Sequence, residues 1–250
     1  MVGRDLIRSA EVRQTVSQKM QFDTAANTFR NKYNCLPADC QNPTALGFSG
    51  GNGSGGANPD GDDIIYYGGN SQTGYWFWQQ LFEANLVPIK PAYVRAGLRF
   101  AGDSSPPCPI CERFLVTSYG APNPVVGGWQ IVDFQKLPAL SCSSFTDVGG
   151  IPIRARSFIL TTGNVAGQSP AYETLTLQNA YAVDVKLDDG RPLSGSVIAV
   201  GSYYYTDTAH SGCSGFLNTD TALSYVWGTN NNTYTVTITS KVDLIMKAGF

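Results

Sequence analysis

This chain is poor in charge. Of its 250 residues only 14% are Asp, Glu, Lys or Arg, against roughly a quarter in an average soluble protein. The net charge is −2, and no run of basic residues occurs. Nucleic-acid binding through phosphate neutralisation therefore has no sequence support. There is one histidine, His210. No window approaches the roughly 20 apolar residues of a membrane span. No signal peptide opens the chain, and no internal repeat is visible. Ser, Thr, Asn, Gln and Gly carry the polar surface instead, a composition common in secreted and surface-exposed β-rich proteins.

Cysteine, by contrast, is plentiful and even in number: Cys35, Cys40, Cys108, Cys111, Cys142 and Cys213. Two close pairs and an even count read as disulfides formed in an oxidising compartment. Six cysteines allow many connectivities. The expected set is two local bridges, Cys35–Cys40 and Cys108–Cys111, with Cys142–Cys213 as the long-range staple. That last bridge closes the largest loop and stabilises most in the chain-entropy model. Disulfides without an export signal lead to the expectation that an export segment precedes the chain as given.

The first thirty-odd residues read as an amphipathic helix. Leu6, Ala10, Val16, Met20, Ala25, Ala26 and Phe29 recur at helical spacing. The helix ends at Tyr33-Asn34-Cys35-Leu36-Pro37, where Pro37 disfavours helix in the residue before it. Its start is weakly marked, since Arg8 stands where a capping box wants Glu or Gln. The expected organisation is a helix over 1–34 and a globular head over 35–250. The head opens with a Gly-rich loop over 41–73, a length that marks a functional or poorly ordered segment. A second helix is expected from Tyr75 to Leu86, burying Trp78, Leu81, Phe82 and Leu86. A third covers 178–186, stopped by Asp188-Asp189-Gly190.

Strand signals lie at Phe114–Val116, Trp129–Val132, Phe158–Thr162, Gly195–Tyr205 and Thr233–Val242. Tyr172 to Leu177 reads as a short helix or turn. Helix first, then loops and short helices, then strands gives an α+β fold, with the long helix laid on an antiparallel sheet.

Candidate chemistry is sparse. Asp60, Asp62 and Asp63 surround Gly61 in a loop, an arrangement that suits a hard cation such as calcium. The alternative is a solvated acidic turn, and the downstream Glu of an EF-hand loop is lacking. Asp184, Lys186, Asp188 and Asp189 read as a helix end and turn, with Asp184 pairing with Lys186 or Arg191. Cys108-Pro109-Ile110-Cys111 follows Pro106-Pro107 with no helix start behind it, which favours a structural bridge over a redox motif. His210 lies among hydroxyls, yet no G-x-S-x-G elbow accompanies it, so a hydrolase reading is weak. Tyr66-Tyr67, Tyr203-Tyr204-Tyr205, Tyr225 and Trp227 offer aromatic surface for a glycan or protein receptor. No enzyme and no resident cofactor are expected.

Two phrases together resemble a known family. Ala25-Ala26-Asn27-Thr28-Phe29-Arg30-Asn31-Lys32-Tyr33 runs into Leu36-Pro37-Ala38-Asp39 at the end of the long helix. Asp184-Val185-Lys186-Leu187-Asp188-Asp189-Gly190-Arg191-Pro192 is followed by Gly195. With Trp76-Phe77-Trp78-Gln79-Gln80-Leu81 between them, the combination resembles bacterial type IV pilin-like proteins, the pseudopilins and minor pilins of type IV pili and type II secretion systems. The middle of the chain, 89–175, carries none of the resemblance. It implies a filament subunit whose apolar leading half-helix anchors in the inner membrane and packs in the filament core. Its partners would be other pilin or pseudopilin subunits and the assembly platform. The head would be periplasmic or extracellular, and the chain as given soluble. The same resemblance admits a pilus-tip adhesin that binds through the aromatic loops.

Overall fold

The computed structural model describes residues 2–49, 59–65, 73–88, 108–109, 113–116, 123–126, 128–133, 156–161, 175–191, 195–200 and 241–250. Its first element is the long helix α1, Val2–Tyr33. Asn34 ends it in the left-handed region at φ 56°, and its N–H donates to the Arg30 carbonyl at 2.8 Å. Asn tolerates that conformation better than most residues, which makes it a fitting helix stop. A 3-10 turn, Pro43–Leu46, follows, capped by the Asn42 side chain. Helix α2 spans Thr73–Glu83.

The strands are β1 (Arg113–Val116), β2 (Asn123–Val126), β3 (Gly128–Asp133), β4 (Arg156–Thr161) and β5 (Leu175–Thr176). Helix α3, Leu177–Leu187, comes next, N-capped by Thr176. Strands β6 (Val197–Val200) and β7 (Lys241–Lys247) close the order. Strands β1 and β2 pair as a separate hairpin-like ladder. The main sheet runs β3-β4-β7. Along the far edge of β7, β5 pairs at Lys241 and Val242, while β6 pairs from Asp243 to Met246. Every pairing is antiparallel. The fold is α+β, as expected.

Several expected boundaries shift. Of the strand expected over Thr233–Val242, Lys241 and Val242 are strand and open β7, Lys241–Lys247; 233–240 lie outside the described residues. Leu244, Ile245 and Met246 are consecutive and all buried, so this central strand is covered on both faces and does not alternate. Leu175 and Thr176, within the stretch read as helix or turn, form strand and then cap α3.

Helix α1 differs more. Its buried stripe is Val12, Thr15, Phe22, Ala25, Ala26 and Phe29; the last three were expected there, and Val16 packs against the same core. Leu6, Ala10 and Met20 were expected on that stripe but are exposed, Leu6 at 63% and Met20 at 55%. They lie across the helix from Phe22. At Phe22 the stripe packs on the inner sheet face, whose core residues are Trp129, Ile131, Phe158, Leu160, Leu244 and Met246, while Phe29 meets Tyr33 and Phe48. Phe22 is the hub: its ring lies 4.7 Å from Trp78, 5.4 Å from Trp129 and 6.0 Å from Phe158. Among the described residues, no helix is long and apolar enough to cross a membrane.

Candidate functional site

The residues just after α1 build a small acidic pedestal. Cys35 and Cys40 are disulfide-bonded with their Cα atoms 5.2 Å apart, as expected. Between them Leu36 is buried and Ala38 adopts φ 69°. The Ala38 N–H donates to Gln80 Oε1 on α2 at 2.7 Å. This geometry presents Asp39, only 1% exposed, to the segment 59–65.

Asp39 Oδ2 accepts the Asp63 N–H at 2.8 Å, and Oδ1 accepts the Gly61 N–H at 3.2 Å. The Gly61 N–H also reaches the Asp39 carbonyl at 3.0 Å. Gly61 sits at φ 75°, which a glycine adopts at no steric cost. Burial raises the Asp39 carboxyl from 3.8 to about 6, the two backbone N–H donors oppose the rise, and the Asp62 and Asp60 carboxylates add to it.

Asp39, Asp60 and Asp62 bring carboxylate oxygens within 4.8 Å of one another. Asp63, expected among the cation ligands, is instead ion-paired with Arg30, and its carbonyl accepts from Arg156. The pedestal residue missed in the sequence is Asp39; it stood in the Leu36-Pro37-Ala38-Asp39 phrase and was counted only as a motif. Each carboxylate already serves the loop. Asp60 Oδ1 accepts the Asp62 N–H at 3.3 Å, and Asp62 Oδ1 accepts the Ile64 N–H at 3.0 Å. Calcium takes six to eight oxygen ligands, more than three partly committed side chains supply. The cluster therefore reads first as an anchor for the segment 59–65.

A second acidic group, Asp184, Asp188 and Asp189, closes α3. Asp184 is fully buried and accepts the Gly190 N–H at 3.3 Å. Asp188 Oδ2 accepts the amides of Ser196 and Val197, so it starts strand β6. Gly190 and Gly195 both lie at φ 75°, and a Cβ at Gly195 would collide with the Asp188 carboxylate. This phrase is turn architecture, as read from the sequence.

The third feature is the outer side of α1. Gly3, Ile7, Ala10, Gln14, Ser17, Gln21, Thr24 and Thr28 are all exposed. They are spaced alternately by four and three, the 3.5-residue period of a helix-packing seam. The seam carries no charge. The hydroxyls of Thr24 and Thr28 donate to the carbonyls of Met20 and Thr24, at 2.9 and 2.7 Å, which hides their polarity against the helix. Arg13, on the border, folds back along the helix to Ser9. Beside Met20, Gln21 and Thr24, Leu86 and Pro88 wall an open groove of about 550 Å³.

The remaining expected sites divide. Cys108 is buried and disulfide-bonded. Cys111, Cys142, Cys213, His210 and the aromatic groups Tyr66-Tyr67, Tyr203-Tyr204-Tyr205, Tyr225 and Trp227 lie outside the described residues. Comparisons of the chain with family models, with curated proteins and with solved structures find no match.

Proposed function

We propose that this chain is the head-bearing part of a pilin-type filament subunit, a pseudopilin or minor pilin, which assembles through α1. The observation that carries the reading is that one helix has two working faces. The face with Val12, Phe22, Ala26 and Phe29 is spent on the chain's own core. A second seam, from Gly3 to Thr28, about a third of a turn round the helix, is exposed, uncharged and regular over most of its length. A water-facing side of a surface helix ordinarily carries charged and polar residues; this seam keeps polar ones, Gln14, Ser17, Gln21, Thr24 and Thr28, but no charged one. Leu6 and Ile7, at 63% and 62% exposure, extend the apolar character into the first turns.

In this reading the partners are other subunits of the same type and the platform that extrudes them. The phrases ending α1 and α3 add the resemblance described above. The protein works as a scaffold and catalyses nothing.

The test uses the complete gene in its source organism. Sheared surface filaments and periplasmic fractions are collected and probed for the chain. Ser17→Arg and Thr24→Arg place a charge in the seam without touching the buried stripe. Both variants should fold with an unchanged thermal midpoint yet drop out of the assembled fraction. Assembly that persists at wild-type level in both would sink the proposal.

A further inference from the structure

The bridge Cys35–Cys40 does more than close a loop. Inside it, Ala38 holds φ 69°, a conformation that an L-residue without a polar side chain keeps only when its surroundings impose it. Three restraints do so: the bridge itself, the Ala38 N–H bond to Gln80 Oε1, and the Asp39 N–H bond to the Leu36 carbonyl at 3.1 Å. The next residue, Asp39, then meets the segment 59–65 with its carbonyl and both carboxylate oxygens. That segment repeats the pattern at Asp63, a non-glycine residue at φ 63°. The amides of Gly61 and Asp63 end on Asp39, so the segment's backbone is held by a residue whose own position depends on the bridge.

We propose that the Cys35–Cys40 disulfide is a redox latch on the segment 59–65: closed, it keeps Asp39 where it captures the Gly61 and Asp63 amides, and its reduction releases them. Cys35 is partly exposed and Cys40 is buried, so the Cys35 sulfur is the one open to attack. A thiolate of a dithiol reductant bonds to that sulfur and the S–S bond breaks, with Cys40 leaving as thiolate. The reductant's second thiol then displaces Cys35 and closes the reductant into its own disulfide. Two electrons and two protons pass to Cys35 and Cys40. Cys40 Sγ lies 3.3 Å from the Leu36 carbonyl, so the buried thiol finds an acceptor once it carries its proton. Release frees Asp39, Asp60 and Asp62 to hydrate separately. The latch stands whether or not the chain builds a filament.

Amide hydrogen exchange on the whole chain tests it. In a Cys35→Ser/Cys40→Ser variant, and separately in Asp39→Ala with the bridge intact, the Gly61 and Asp63 amides should exchange at least tenfold faster. The amides of β3 and β4 should not change. In the wild type, dithiothreitol treatment followed by iodoacetamide should label Cys35 at the same stage at which exchange in 59–65 rises. Unchanged exchange at Gly61 and Asp63, or Cys35 labelling without it, overturns the latch. So does faster exchange spread through β3, β4 and β7, since the bridge would then be a staple of the whole fold.

Discussion

Asp39 shows how one buried carboxyl sets a pH dependence. Its folded pKa is raised to about 6 from 3.8, chiefly by burial. The folded state therefore binds its proton more tightly than the unfolded chain does. This group's contribution is full below about pH 4 and is lost as pH rises through about 6. The difference amounts to at most about 3 kcal/mol at 1.36 kcal/mol per unit. Thermal midpoints measured from pH 4.5 to 7 should fall more steeply in the wild type than in Asp39→Asn, and parallel curves would refute the assignment. A cation on Asp39, Asp60 and Asp62 would favour the charged carboxylate and flatten the same curve. Millimolar calcium should leave the wild-type midpoint within about 1 °C, because three committed side chains fall short of calcium's ordinary ligand number. A rise abolished in Asp60→Asn would instead identify a metal centre. The acidic residues of this site were legible in the sequence, but their roles were not. Neighbours in sequence suggested Asp60, Asp62 and Asp63 as a set. Arg30 and Arg156, distant in sequence, turn Asp63 away from it.

At the scale of elements, α1 gives the clearest contrast between what pattern reveals and what packing decides. Its end was legible, because Asn34 and Pro37 punctuate it. Its buried face was legible in part: Ala25, Ala26 and Phe29 are buried as expected and Val16 packs against the core. Leu6, Ala10 and Met20 supplied apolar spacing without facing the core. Only the sheet, with Phe158 and Trp129 beneath Phe22, selects the stripe. The substitution pair Phe22→Ala and Leu6→Ala separates the faces. Emptying the Phe22 site should cost about 3–5 kcal/mol, whereas Leu6→Ala should stay within about 0.5 kcal/mol. Urea denaturation of both variants reads the difference directly, and equal losses would contradict the two-face account. The same reasoning explains why the run of β7 beyond Val242 was not read as strand. Strict alternation is an easy signal, but a strand buried on both faces carries a continuous run such as Leu244-Ile245-Met246, which periodicity alone does not single out.

For the whole molecule, residues far apart in the chain are drawn together at 248–250. Asp23 Oδ1 accepts the Gly249 N–H at 2.7 Å, and Asn27 Nδ2 donates to the Gly249 carbonyl at 3.1 Å. Arg156 Nη1 donates to the Phe250 oxygen at 2.9 Å, and its guanidinium lies 5.2 Å from the Phe250 ring centroid. That ring stacks on Phe77 at 6.0 Å and meets Phe158 at 5.8 Å. Helix α1, helix α2 and strand β4 are thus closed by one short segment more than 200 residues from the helix it holds. Phe22 and Phe250 both lean on Phe158, so their contributions should not add. Phe250→Ala alone should cost about 1–3 kcal/mol, since its ring is half-buried. Combined with Phe22→Ala, the loss should differ from the sum by at least about 0.5 kcal/mol. Strict additivity in that double-mutant cycle would mean that the two ends of the core unfold independently, and the closing segment would then be an appendage and not part of one cooperative unit.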